Sequence, residues 1–508
     1  MGRPADGDSV ALRAGQWRPG RWLALPMAAL LVAAATVLLR VRPVDARGPQ
    51  DSLARDLRAL IAQSPWQGSM GVEVLQVKSG QRRFVHRATA NLNPASNMKL
   101  LTTLAAIETL GPAHRFVTAL LGQVDADGRM AHVVLRGDGD PSLALRDLQH
   151  MAFALAEQGV RRVAEVWLDA RAFDGAVLPP AFEQQPHEVA SFRAAVAAVS
   201  VAQNAYRLRV APTAVGQPAK VVLDAPGYFV LDHQLQTVAQ GPPRVIAVQK
   251  SRSDGRLELK LRGQIAVGTA RMAFVRRVAS PLHFAGFALV QALRRARIAC
   301  PRVVRVAQAS ATDRTLVRHH SPPLTAQLRA AGKWSDNFTA EMLLKAIGAR
   351  RDGKGSSAAG LKVLRARLQQ LPHGVHGAAL VNGSGLFVGN RISARHLTQS
   401  LRGALRRAKY RPDVLHHLAH AGVDGTLTGR LKSLPSGVHV RAKTGTLNDV
   451  VALSGVLETD EAGASLVFSI LINGVKGRIG AARQLSDALV QRMAEALASD
   501  VDRGPGRR

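Results

Sequence analysis

Cysteine is almost absent from this chain: among 508 residues Cys300 is the only one. No intrachain disulfide can form, so the cysteine count says nothing about compartment. Lying between Ile298-Ala299 and Pro301, it reads as a small buried hydrophobe. Carboxylates are also scarce, with 36 Asp and Glu against 68 Lys and Arg and a formal net charge of +32. That balance suits an anionic neighbour such as nucleic acid, a membrane face or a charged polymer. An arginine-rich genome with a solvated basic surface gives the same composition. No helix-turn-helix, RNP or zinc-finger pattern accompanies the arginines, which speaks against nucleic acid. Internal repeats are missing, and the longest biased run is the basic tail 503–508.

What remains is the composition of a folded protein, 47% hydrophobic and 20% charged. Its length exceeds one compact core, so two or three domains are expected. Residues 1–21 are basic, residues 22–39 carry no charge, and Arg40 and Arg42 close the stretch. This reads as an export signal at the lower edge of bilayer-spanning length. Val44-Asp45-Ala46 offers a cleavage site, so residues 1–46 are a cleaved signal peptide or an uncleaved anchor. Either way the remainder lies outside the cytoplasm.

Residues 72–77 alternate as a half-buried strand, and residues 83–85 return. A helix is expected from about 96 to 110, with Gly111-Pro112 as its stop. Residues 131–135, 219–223, 244–248 and 257–261 read as strands inside a long segment without a catalytic motif. Residues 450–457 and 464–472 read as a hairpin, followed by a last helix from about 479 to 497. A helix is expected around Ser335 and another over 361–371.

Three short motifs carry the chemistry: Ser96-Asn97-Met98-Lys99, Ser335-Asp336-Asn337 and Lys443-Thr444-Gly445. In a helix, Ser96 and Lys99 share a face. A lysine amine with its pKa lowered by burial or a second cation can take the serine proton. Ser335 offers a hydroxyl for proton relay and Asn337 an amide for holding substrate, while Asp336 points away. Lys443 and Thr444 suit a carboxylate, on residues read as opening the penultimate strand. Gly445 lets a substrate backbone approach the strand edge. The Thr446 N–H can join the Ser96 N–H in an oxyanion hole. Each motif alone also reads as an ordinary N-cap or strand start; all three in this order point to acyl transfer.

Other candidates are weaker. Gly137-Asp138-Gly139-Asp140-Pro141-Ser142 lacks the later ligands of a calcium loop and reads as a turn. His416 and His420 have a zinc-like helical spacing but no third ligand and no adjacent glutamate. The arginines from Arg391 to Arg411 form the densest basic stretch, able to attract anionic wall polymer or phospholipid headgroups, or to form a solvated helix face.

The motifs, with Asn93-Pro94-Ala95-Ser96, Gly139-Asp140-Pro141-Ser142-Leu143, Gly383-Ser384-Gly385-Leu386 and Ala421-Gly422-Val423-Asp424-Gly425-Thr426-Leu427, are those of a known family. The chain resembles the penicillin-binding D-alanyl-D-alanine carboxypeptidase/endopeptidases, the low-molecular-mass class C enzymes with a large insertion after the nucleophile helix. The resemblance implies an α+β fold: a β-lactamase/transpeptidase-like domain, antiparallel sheet with helices, carrying a β-rich insertion. The expected division is 50–112 and 311–498 for the catalytic domain, 113–310 for the insertion and 499–508 for a basic tail.

The resemblance further implies that Ser96 attacks a D-Ala-D-Ala peptide carbonyl in peptidoglycan, with Lys99 as base and Ser335 as relay. Asn337 would bind substrate backbone, Lys443 and Thr444 the terminal carboxylate, and β-lactams would acylate Ser96. No metal or cofactor enters this scheme. Asn382 departs from the family's usual aspartate, and Phe387 from its usual serine. A β-lactamase, or a non-catalytic wall-binding scaffold of the same fold, is the rival reading.

Overall fold

The computed structural model describes residues 49–372, 377–460 and 464–502. The export segment 1–46 with its apolar stretch 22–39, and the tail 503–508, lie outside the described residues. Among those described, no helix is long and apolar enough to cross a membrane.

A six-stranded sheet organises the catalytic unit. Its order is Ala419–His420, Val438–Leu447, Val450–Thr459, Ser465–Asn473, Met70–Gln76 and Arg82–His86, antiparallel throughout. The two ends of the chain meet where Met70–Gln76 pairs with Ser465–Asn473. Alternation along Ser465–Asn473 supplies two cores at once, because successive strand side chains point to opposite faces. Leu466, Phe468, Ile470 and Ile472 pack with helices Pro49–Ala62 and Ile479–Asp502. Val467 and Leu471 face a helical layer on the other side.

That second layer is built around helix Met98–Leu110, whose residues from Met98 through Ile107 are all buried. A helix buried on every face must be surrounded by other elements. Helices Leu324–Gly332, Asn337–Asp352, Ser357–Gln369 and Ala394–Leu405 enclose it. Gly111, at φ +91°, ends it. The last helix runs on to Asp502, absorbing the first residues of the expected basic tail.

The insertion leaves and re-enters the catalytic unit at one point. Phe116 N donates to Ser321 Oγ at 2.9 Å, and Ser321 N donates to Phe116 O at 2.9 Å. Beyond this clasp lies a five-stranded sheet in the order Val304–Val306, Arg162–Asp169, Arg129–Gly137, Val117–Gly122, Arg314–His320. Helices Leu145–Glu157 and Pro281–Arg295 pack on it. Two three-stranded sheets complete the unit: Phe229–Val238, Leu257–Ala266 and Arg244–Ser251, then Met272–Arg277, Ala205–Ala211 and Lys220–Leu223. Residues 314–320, assigned from sequence to the returning catalytic segment, are an edge strand of the inserted sheet. Their pairing is to Val117–Gly122, nearly two hundred positions earlier, which no local pattern announces. Cys300 is buried within this unit, and burial pushes its thiol up to about 11.

Candidate active site

Ser96 stands in a one-turn 3-10 segment, Ala95–Asn97, that leads into helix Met98–Leu110. The turn is held from several sides. Asn93 Oδ1 accepts from Ala95 N at 2.9 Å, and Asn93 is itself clamped by Asn473 through N to Oδ1 at 2.9 Å and O to Nδ2 at 3.1 Å. Ala95 adopts φ +45°, a conformation costly for a residue with a β-carbon and persistent only where the surroundings impose it. Gly385 packs against it so tightly that a β-carbon there would lie 1.8 Å from Ala95 O. Asn97, oriented to satisfy both ends of its amide, donates to Lys443 O at 2.8 Å and accepts from Ser454 N at 3.2 Å. The nucleophile turn is thereby joined to the strand that carries the third motif.

Lys99 is fully buried, while Ser96 is half-exposed. Its Nζ donates to Ser96 Oγ at 3.0 Å, Asn337 Oδ1 at 2.7 Å and Ser384 O at 2.6 Å. Three acceptors of this kind fix the amine in place. Burial lowers its pKa to about 7, against the opposing pull of Asp336 and Glu341. Glu341, which sequence reasoning left without a role, is buried under the same loop. It accepts from Gly383 N at 3.2 Å and Ser384 N at 2.7 Å, and burial raises its pKa. It thus holds the loop whose Ser384 carbonyl holds Lys99.

Asn337 begins helix Asn337–Asp352, and Asp336 caps it by accepting from Thr339 N at 2.6 Å, near enough to Lys99 for its charge to be felt there. Asn337 Oδ1 faces Lys99 and its Nδ2 donates to Phe192 O at 3.0 Å, a contact supplied by the insertion. The helix starts at Asn337, so Ser335 stands before it, at φ +61°. Its hydroxyl makes no hydrogen bond among the described residues and is free for a ligand. Ser384, the centre of a glycine-flanked serine triplet, is buried and serves through its backbone.

The third motif does not open the penultimate strand. Lys443, Thr444, Gly445 and Thr446 lie near the end of Val438–Leu447, the third strand from the C-terminus. His439 and Arg441 hid the first half of that strand from a hydropathy reading. The neighbouring strand Ala419–His420 pairs only with Ala442 and Arg441, so among the described residues no strand pairs with the edge from Lys443 onward. A β-carbon on Gly445 would lie 2.9 Å from Pro94 O and 3.1 Å from Ala95 Cβ, so glycine lets the strand meet the nucleophile turn. Lys443 is fully buried with no carboxylate within ion-pair distance among the described residues, and its Nζ donates to Thr444 O at 2.8 Å. Burial, reinforced by the charge of Lys99, holds its pKa well below the usual lysine range. Thr444 Oγ1 donates to Thr426 Oγ1 at 2.8 Å, and exposed Thr446 accepts from Arg483 at 3.2 Å.

The histidine pair separates: His416 lies on helix Arg411–His417, whereas His420 lies on the following strand, so no helical face holds both. The histidine near the site is His417, fully buried, with Nε2 3.1 Å from Thr103 Oγ1. Burial lowers its pKa to about 4, with a smaller push from Lys443.

A serine hydrogen-bonded to a buried, weakly basic lysine, an asparagine on the lysine's other side and a second buried lysine on an open strand edge form one constellation. Comparison with known proteins finds it in context. The model of the D-Ala-D-Ala carboxypeptidase 3 (S13) family matches residues 53–496. The D-alanyl-D-alanine carboxypeptidase of Actinomadura sp. (strain R39) is 32% identical over 506 residues, covering 95% of this chain and 91% of that one. The D-alanyl-D-alanine carboxypeptidase DacB of Haemophilus influenzae is 25% identical over 393 residues, 75% of this chain and 80% of the other. The crystal structure of penicillin binding protein 4 from the same organism superposes with TM-score 0.69 at 24% identity, over 82% of this chain and 93% of that one, and establishes the shared fold. With the match spanning both halves of the catalytic unit and the insertion between them, the chain belongs to the D-Ala-D-Ala carboxypeptidase 3 (S13) family.

Proposed function

We propose that this protein is a serine-type D-Ala-D-Ala carboxypeptidase and endopeptidase acting on peptidoglycan stem peptides and cross-links through an acyl-enzyme. The observation that carries the reading is Lys99 Nζ, fully buried, 3.0 Å from Ser96 Oγ, with its pKa lowered to about 7. Near neutral pH the amine is available without its proton. It accepts the Ser96 proton as Oγ bonds to the carbonyl carbon of the scissile D-Ala-D-Ala peptide. The N–H groups of Ser96 and Thr446 stabilise the oxyanion. As the C–N bond breaks, Ser335 passes its hydroxyl proton to the departing amine and is reprotonated by the proton that Lys99 took from Ser96. Water then attacks the ester, releasing Ser96 and the shortened stem.

The substrate backbone lies along the open edge of Val438–Leu447, adding one more strand to the sheet. Asn337 holds it from the opposite side. Gly445 gives it a smooth edge to approach, and the terminal carboxylate meets Lys443 and Thr444, with Thr426 orienting the Thr444 hydroxyl. A buried lysine without a carboxylate partner gains most from an anionic ligand, since the ligand supplies the missing charge.

The address follows from the substrate. The enzyme works in the cell envelope or periplasm, delivered by residues 1–46 as a signal peptide or held to the inner membrane by residues 22–39. Its basic surface draws it to anionic wall polymer or membrane.

The test is acylation by a fluorescent penicillin beside Ser96→Ala, followed by assay of D-Ala release from a stem pentapeptide. Covalent label and D-Ala release, both lost in the variant, are expected. A folded wild type that takes no label removes the catalytic reading, and rapid turnover of the penicillin without D-Ala release assigns a β-lactamase instead.

A further inference from the structure

Two hollows of about 500 Å³ and 640 Å³ open on the catalytic unit and share Arg406, and no residue of the candidate active site lines either. The first, among helices Met98–Leu110, Ser357–Gln369 and Ala394–Leu405, presents Arg367, Arg402 and Arg407 beside Arg406. The second presents Lys78, Arg411 and Arg441. Against these seven cations the two linings hold two carboxylates, Glu108 and Glu458. Glu108 is shared by Arg367 and Arg407, and Glu458 is occupied by Arg411. Arg402, Arg406 and Arg441 have no carboxylate within ion-pair distance among the described residues.

Arg402 shows how the surface is built. Its Nε donates to Val77 O at 3.1 Å, which fixes the planar guanidinium across the hollow. Gly80, at φ +78°, makes room for it, since a β-carbon there would lie 2.6 Å from the guanidinium carbon. Burial and the neighbouring charge of Arg406 both disfavour its charged form. Helix capping explains part of the cluster, because Arg367 and Arg402 occupy last helical turns where a cation is favoured. Lys78 and Arg441 occupy no such position, and Arg411 begins a helix, where a cation is disfavoured.

We propose that this double hollow binds a linear phosphate-bearing polyanion, whose successive phosphates meet the guanidinium groups on either side of Arg406. Guanidinium forks match phosphate oxygens two by two. A chain can run across two hollows that share Arg406, whereas a bilayer surface meets protruding groups. The inference rests on the exported location proposed above, where this surface would meet polymers of the envelope rather than cytoplasmic polyanions. Binding there would hold the enzyme beside its substrate without occupying the Ser96 cleft.

The experiment is fluorescence anisotropy of labelled poly(glycerol phosphate) with the full chain across a salt series, alongside penicillin acylation of the same samples. Arg406→Glu, at an exposed position, should weaken binding by about tenfold and flatten the salt dependence by about one unit per lost contact. Arg402→Lys, which keeps the charge and loses the fork, should weaken it less. Arg302→Glu, exposed on the inserted unit, should leave it unchanged. Penicillin acylation at the wild-type rate in every variant separates this proposal from the reading of the active site. Equal weakening by Arg302→Glu would overturn it in favour of diffuse charge. Displacement of the polymer by inorganic phosphate at equal phosphate concentration would reduce it to a single-anion site. Arg406-dependent capture by phosphatidylglycerol vesicles without polymer binding would hand the surface to the membrane.

Discussion

At Lys99 the surroundings pull in opposite directions. Burial drives Nζ toward the neutral amine, Asp336 and Glu341 draw it back toward ammonium, and the balance stands at about 7. The rate of penicillin acylation should therefore rise with pH through an inflection near 7, the base being active only when deprotonated. Lys99→Ala should slow acylation by about a hundred- to ten-thousand-fold. Glu341→Gln removes a charge that favours the ammonium, so the inflection should move to lower pH; an unmoved profile would show that another group titrates. His417 tests the same physics through stability. Its folded pKa of about 4 lies below the ordinary 6.5, so between those values the unfolded chain binds the extra proton. The contribution is fully present above about 6.5 and is lost as pH falls toward 4. At most it amounts to about 3 kcal/mol. Urea midpoints measured across that window should fall with pH in the wild type, and less steeply in His417→Gln.

Among the elements, the loop that follows residue 381 decides how Lys99 is held. Asn382 is buried and uses its whole amide: Nδ2 donates to Pro180 O at 3.1 Å and Leu386 O at 3.0 Å, and Oδ1 accepts from Gly385 N and Asn390 Nδ2, both at 2.9 Å. An aspartate in its place would turn a carboxylate oxygen toward two carbonyls. Asn382→Asp should cost about 1–3 kcal/mol, read from thermal unfolding, and slow acylation by loosening the Ser384 carbonyl. This loop also marks the boundary of what the sequence made legible. Ser96, Lys99, Asn337 and Lys443 could be named because spacing and motif order specify their chemistry. Glu341 and the carbonyls of Ser384 and Phe192 could not, since each acts through a partner more than forty positions away or through backbone that any residue provides. The central hairpin was legible from two apolar runs and a polar turn. The first half of Val438–Leu447 was not, because His439 and Arg441 interrupt its apolar alternation.

For the whole molecule, the question is whether the insertion is an appendage or part of the machine. Its two ends meet at the Phe116–Ser321 clasp, so its topology alone would permit removal. Its packing argues otherwise. Phe173, Ala194, Val196 and Ala198 belong to the same apolar cluster as Leu343 and Leu101 of the catalytic helices. Lys345, buried in the catalytic unit, donates to Asp174 Oδ1 at 2.5 Å and Ala176 O at 2.6 Å, both on the inserted segment. Asn337 takes its orientation from Phe192 O. Replacing residues 117–320 by a short Gly-Ser linker would therefore strand a buried lysine and loosen the amide that faces Lys99. Losing one partner of a buried ion pair costs about 3–5 kcal/mol, so the shortened chain should unfold at markedly lower urea. Adding Lys345→Met to it removes the stranded charge and should recover much of that loss. Acylation should not return with stability, because Asn337 still lacks Phe192. Full recovery of both would show that the insertion acts on the site only through Lys345.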